Sequence, residues 1–234
     1  MSKDVIKGSA IFESAAATMT ASAAAKVNLS GRHLEAANLF VLHCKDLELK
    51  HAKDPWPQQC WEQHQSYATA AIVLSSAALE AAINEFFSSA EDHVIRGIRM
   101  PAISNFSEST IQLLNELWHI VERSNTLEKY QVALTACQRD PLPRGDTTYQ
   151  NARDLLSLRN SLIHFRPEWD NDLDDHAKLE RRLNGKFPEN TLAPHAITWF
   201  PSKCLGAGSG EWACRSVKQF SKEFCERLKI PQQF

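Results

Sequence analysis

The stretch 63–95 constrains this chain more than any other. It reads as a single long helix in which Ala68, Ala71, Ala78, Ala81 and Ala82 let neighbouring helices approach closely, while Leu74, Ile83, Phe86 and Phe87 fill the remaining space. Its most apolar part, 68–83, is too short to span a membrane and carries Ser75, Ser76 and Glu80, so it is expected to be a core helix. Only 8 of the 234 residues are glycine, which favours helix over the rest of the chain as well.

Further helices follow from periodicity and punctuation. Leu34, Ala37, Val41, Cys44 and Leu47 recur at helical spacing from residue 31, ahead of Asp54-Pro55-Trp56-Pro57. Ser107 or Ser109 caps a helix carrying Ile111, Leu114, Leu117, Trp118 and Val121. A helix over 126–138 ends before Pro141 and Pro143. Thr147 or Thr148 caps a helix over 149–165, which Pro167 stops. A charged helix over 172–183, a long loop over 184–210 and a last amphipathic helix over 211–229 complete the reading. The expected architecture is an all-α antiparallel helical bundle over 31–234, preceded by an irregular N-terminal arm over 1–30.

Composition narrows the function. An apolar share of 43% and a charged share of 23% argue against bulk disorder. A net charge of -2 argues against a protein that coats long nucleic acid, so any contact with nucleic acid must use a local arginine cluster. The 6 cysteines form no C-x-x-C pair and are expected to be buried free thiols in a reducing, cytoplasmic setting. The start, MSKDVIKG, has no apolar core of a secretory signal. His51, Cys60 and His64 could be drawn as metal ligands, but prolines interrupt them and no fourth ligand is evident. Neither metal nor cofactor is expected. The glycines at 206, 208 and 210 read as a flexible lead-in to the last helix rather than a phosphate loop, and the aspartates at 170, 172, 174 and 175 as an acidic first turn. Core packing is the expected role of most of the 6 tryptophans.

The segment Asp154-Leu-Leu-Ser-Leu-Arg159-Asn160-Ser-Leu-Ile-His164-Phe-Arg-Pro167 carries the chemistry. On a helix, Leu155, Leu158, Leu162 and Phe165 fall within an arc of roughly 80°, the expected core face. Arg153, Arg159, Asn160 and His164 fall on a second arc of about 140°, together with Leu156 and Ile163. Such a double-faced helix suits a subunit interface that holds a site. Arginine supplies a planar donor fork for phosphate, and histidine exchanges a proton near neutral pH. Arg159-Asn160-x-x-x-His164, late in a leucine-rich helix, resembles the R-x4-6-H signature of the HEPN superfamily, in which a polar residue, often Asn, commonly follows the Arg. The earlier helix with small residues and the acidic Glu80 and Glu85 resembles the layout of that family. The resemblance covers 63–167.

That resemblance implies a homodimeric, metal-independent endoribonuclease, often a toxin held by an antitoxin or a component of antiviral defence. His164 would act as general base or acid for the RNA 2′-hydroxyl, Arg159 would stabilise charge on the phosphate, and Asn160 would orient either one. Glu80, Arg153 and Arg166 are the supporting positions. Two other readings stand beside it. One is a noncatalytic dimeric module that binds a nucleotide or a partner protein. The other is a purely structural protein whose Arg, Asn and His cap carbonyls and pair with Asp154 or Glu168.

Overall fold

The computed structural model describes residues 26–52, 58–169, 175–190, 192–193 and 198–234. Most of the arm expected over 1–30 lies outside them, as do Trp56, Asp170, Asp172 and Asp174. The described residues are all-α, with no strand among them. The helices are α1 (Ser30–Lys50), α2 (Gln58–Arg96), α3 (Glu108–Val121), α4 (Thr126–Ala136), α5 (Thr147–Ile163), α6 (Asp175–Leu183) and α7 (Ala207–Leu228).

The long alanine-rich helix is the hub. α2 packs against α1, α3, α4, α5 and α7. Ala68, Ala71, Ala78 and Ala82 are fully buried, as are Ile72, Leu79, Ile83, Phe86 and Phe87. By length and composition alone, Gln59–Arg96 could also cross a membrane, and half of its most apolar window is buried in the bundle. Gly97, at a φ of 70°, follows the helix in a left-handed conformation that other residues rarely adopt.

Helix directions follow from the pairs that touch. Leu29 and Ser30, where α1 starts, bond Glu85, whereas Glu48 near its end bonds His64, so α1 and α2 run antiparallel. α7 instead runs alongside α2 in the same direction. Gln65 meets Leu205, Ser75 meets Cys214, and Phe86 meets Phe224. An entirely antiparallel bundle is therefore not what forms, because the connection after α6 carries the chain back to the level of Glu48 before α7 begins.

That start differs from expectation. The glycines at 206–210 do not lead in to the last helix; they form its first turn. A methyl group on Gly210 would lie 2.8 Å from Val41 Cγ2, and one on Gly208 would lie 2.7 Å from the Pro188 carbonyl oxygen. Glycine is needed there for close packing against α1 and the incoming chain, a demand that local sequence does not reveal. The N-terminus of α7 is closed by Glu48, whose Oε1 accepts from the Ala207 N–H at 2.8 Å and from His64 Nε2 at 2.8 Å. Among the described residues no three His, Cys, Asp or Glu side chains form a metal-binding group.

Five of the six cysteines are buried and all six are free thiols. Trp212 and Trp199 are buried, Trp118 stacks on Phe87, and Trp169 is exposed.

Candidate functional site

α5 places the polar segment. Asp146 occupies its N-cap position, in place of Thr147 or Thr148, which are already helical. The helix ends at Ile163, two residues earlier than expected, with the His164 N–H bonding the Asn160 carbonyl oxygen at 2.8 Å. Pro167 disfavours helical backbone in Arg166, so the turn unwinds ahead of it. Leu155 and Leu158 are fully buried as expected, and Leu162 is partly buried. Phe165 is not in the core. It lies past the helix, 47% exposed, where it stacks on His176 with ring centroids 5.5 Å apart. Leu156, read as outward-facing, is buried, at the side of a hollow that it lines with Leu127 of α4 and Arg182 of α6.

The motif side chains separate into two directions. Arg159 points across to α2, where its Nη2 lies 3.6 Å from Glu80 Oε2. Asn160 is exposed and lines a shallow hollow with Arg153, and His164 is exposed at the helix end. Among the described residues no side-chain hydrogen bond joins Arg159, Asn160 and His164 to one another. Arg166 is exposed beside Phe165. Of the supporting positions, Glu80 thus meets Arg159 as the pairing of the two helices requires, while Arg153 bonds the neighbouring Asp154. Glu85 has a different role, accepting from the N–H groups of Leu29 and Ser30 at the start of α1.

Two groups around the motif were not singled out from sequence. The first is Lys129 of α4, 2% exposed, which donates to Asn84 Oδ1 at 3.0 Å and lies 5.5 Å from the Trp118 ring centroid. Burial holds its pKa below the usual lysine range, against the pull of Glu80 and Glu122. Glu80 therefore pairs with Arg159 and also exerts a longer-range pull on Lys129. A signal existed: Lys129 stands three residues after Thr126 and four before Ala133, on the buried side of its helix.

The second group surrounds Asp154, whose side chain is 4% exposed. Its Oδ1 accepts from Arg182 Nη2 at 2.7 Å and from Arg153 Nη2 at 3.2 Å, and its Oδ2 lies 3.1 Å from Lys186 Nζ. Arg182 and Lys186 come from α6 and the residues after it. Nothing in local spacing could have joined them to α5.

The fold and the site define an all-α helical bundle with a basic, partly open polar face at one end of α5. No protein-family model, curated protein or solved structure matches the chain.

Proposed function

We propose that this protein is a HEPN-type, metal-independent endoribonuclease that acts as a homodimer. The observation that carries the reading is the arrangement around the end of α5. Arg159 is held against Glu80 of the core helix, while Asn160 and His164, one turn apart, face solvent. A guanidinium paired with Glu80 and an exposed imidazole near the end of the same helix are the two kinds of group that cleavage through the 2′-hydroxyl uses. His164 takes the proton of the 2′-hydroxyl, and the 2′-oxygen forms a bond to phosphorus. The bond from phosphorus to the 5′-oxygen breaks, and that oxygen takes its proton from solvent. The products are a 2′,3′-cyclic phosphate and a 5′-hydroxyl. Arg159 stabilises the charge that builds on the phosphoryl oxygens, and Asn160 orients the phosphate.

A second copy would have exposed apolar side chains to cover near His164. Ile163 and Phe165 flank it in sequence and Trp169 follows five positions on, and they are 52%, 47% and 81% exposed. Exposed large apolar side chains of this kind support a subunit interface. The noncatalytic module is the second reading. It is favoured by Leu39, Leu42 and Leu49, an exposed apolar stripe on α1 that offers a partner protein a surface away from the motif.

The test is cleavage of total RNA and tRNA in EDTA by wild type and His164→Ala, with the product ends mapped. Cyclic-phosphate ends made only by wild type are the expected result. Equal activity in the two proteins, or none in either, moves the assignment to the binding module.

A further inference from the structure

The cation cluster around Asp154 holds more positive charge than its packing needs. A buried carboxylate requires one cationic partner and hydrogen bonds to its remaining lone pairs. Asp154 has three cations: Arg182, Arg153 and Lys186. Among the described residues no other acidic side chain pairs with them, so the group carries a surplus of two positive charges. That surplus faces outward. The Arg153 and Arg182 side chains are 51% and 41% exposed.

The arginines are also held in place. Arg182 Nη2 bonds Asp154 and its Nη1 donates to Ser157 Oγ at 3.0 Å, so both arms of the fork are anchored on α5 and the ordering cost is met before any ligand arrives. Beside them lies a hollow of about 300 Å3, lined by Arg153, Ser157, Asn160, Arg182 and Asn125 and floored by Leu156. Asn125 is the N-cap of α4, so the positive end of that 11-residue helix lies at the same place. Arg153, Ser157 and Asn160 stand at i, i+4 and i+7 on one face of α5, and His164 follows at the end of the helix, one turn after Asn160.

We propose that this hollow is a phosphate subsite for a single RNA strand, holding a backbone phosphate next to the one at His164, with Arg182 as its main determinant. It rests on the ribonuclease reading and adds to it: α6 supplies part of the substrate channel as well as a cover for α5. Because phosphate contacts carry no base information, the subsite raises affinity without imposing sequence preference.

The test uses a 5′-labelled single-stranded RNA 12-mer, with binding followed by fluorescence anisotropy on the His164→Ala background and cleavage followed on the otherwise native chain. Arg182→Gln is expected to weaken binding about 5–20-fold and to lower the slope of log affinity against log salt by about one. In cleavage it raises KM with kcat little changed. Arg182→Lys keeps the slope, and Lys222→Gln, on the far exposed face of α7, changes neither. Arg153 and Lys186 still compensate Asp154 in Arg182→Gln, and an unchanged circular dichroism melt checks the fold. Cleavage by wild type with no effect of Arg182→Gln overturns the subsite and leaves the ribonuclease reading intact. Binding that depends on Arg182 without cleavage overturns the ribonuclease reading and leaves the subsite. Absence of RNA binding overturns both.

Discussion

Gly210 has little latitude among the residues of the core, because its α-carbon rests against Val41 and Ala71 where α7 crosses α1 and α2. Gly210→Val is expected to cost about 1–3 kcal/mol through overpacking, which lowers Tm by about 2–4 °C per kcal/mol for a chain of this size. A melt within a degree of wild type would show that the crossing has room to spread. Glu48 carries a similar weight, since one carboxylate oxygen serves both His64 and the first N–H of α7. Glu48→Ala removes an acceptor from both and is expected to cost about 1–3 kcal/mol by equilibrium urea unfolding. The pair Arg159–Glu80 is looser and more open, so Glu80→Gln should change stability by less than about 1 kcal/mol. Its effect is expected in cleavage instead, as a lower kcat from a guanidinium no longer held. At this scale the sequence pointed to Arg159, Asn160 and His164 as candidates, named without coordinates. It did not show their directions, because a side chain three residues from another can face a neighbouring helix or solvent depending on what packs there.

Among the elements, α2 touches five other helices, whereas among the described residues α6 packs chiefly on α5 and the turn at Trp199–Lys203. Local opening follows that difference in burial. Amide hydrogen exchange is expected to be slowest in the middle of α2, around Ile72–Leu79–Ile83, and fastest among the helices in α6. Protection of α6 equal to that of α2 would mean that the two open as one unit. Most helices were legible from periodicity and breakers, including the serine cap at Ser107, which accepts from the Thr110 N–H. α2 starts at Gln58 rather than at 63, and two further misplaced ends belong to α5 and α7. Phe165 has the spacing of a core residue, yet the coming proline ends the helix before its turn is complete. The glycines of α7 look like a hinge by composition, yet at Gly208 and Gly210 close tertiary contact crowds the place a β-carbon would take.

For the whole molecule, the buried thiols link folding to pH. Burial pushes Cys44 and Cys137 from 9.0 up to about 12, and raises Cys214 and Cys225 as well. In the unfolded chain Cys44 and Cys137 ionise near 9.0, while in the native state these two stay protonated until about 12. Between those values the unfolded chain binds fewer protons, so stability falls as pH rises, by up to about 1.4 kcal/mol per pH unit for each thiol. Urea midpoints measured from pH 8 to 11 should decline, and a flat profile would place the thiols in solvent. Under native conditions at neutral pH, Cys60 alone should react quickly with a thiol reagent, and the other five only after unfolding. Ile163→Asp should convert a dimer to monomer in sedimentation. A monomeric wild type would remove the dimeric reading.

What the sequence determined by itself was the class of structure and the place of a candidate motif within it. Helical period, scarce glycine and the long alanine-rich segment leave little but an all-α bundle, and the motif stands out because three polar side chains occur where a leucine-rich helix is ending. Tertiary structure alone decided the rest. It set α7 running alongside α2, opposed Glu80 to Arg159, and drew Arg182 and Lys186 onto Asp154 across 28 and 32 positions of chain. The physical reason is range. Periodicity and capping act over one or two turns of helix, whereas ion pairing of a buried carboxylate depends on which surfaces the apolar faces bring together.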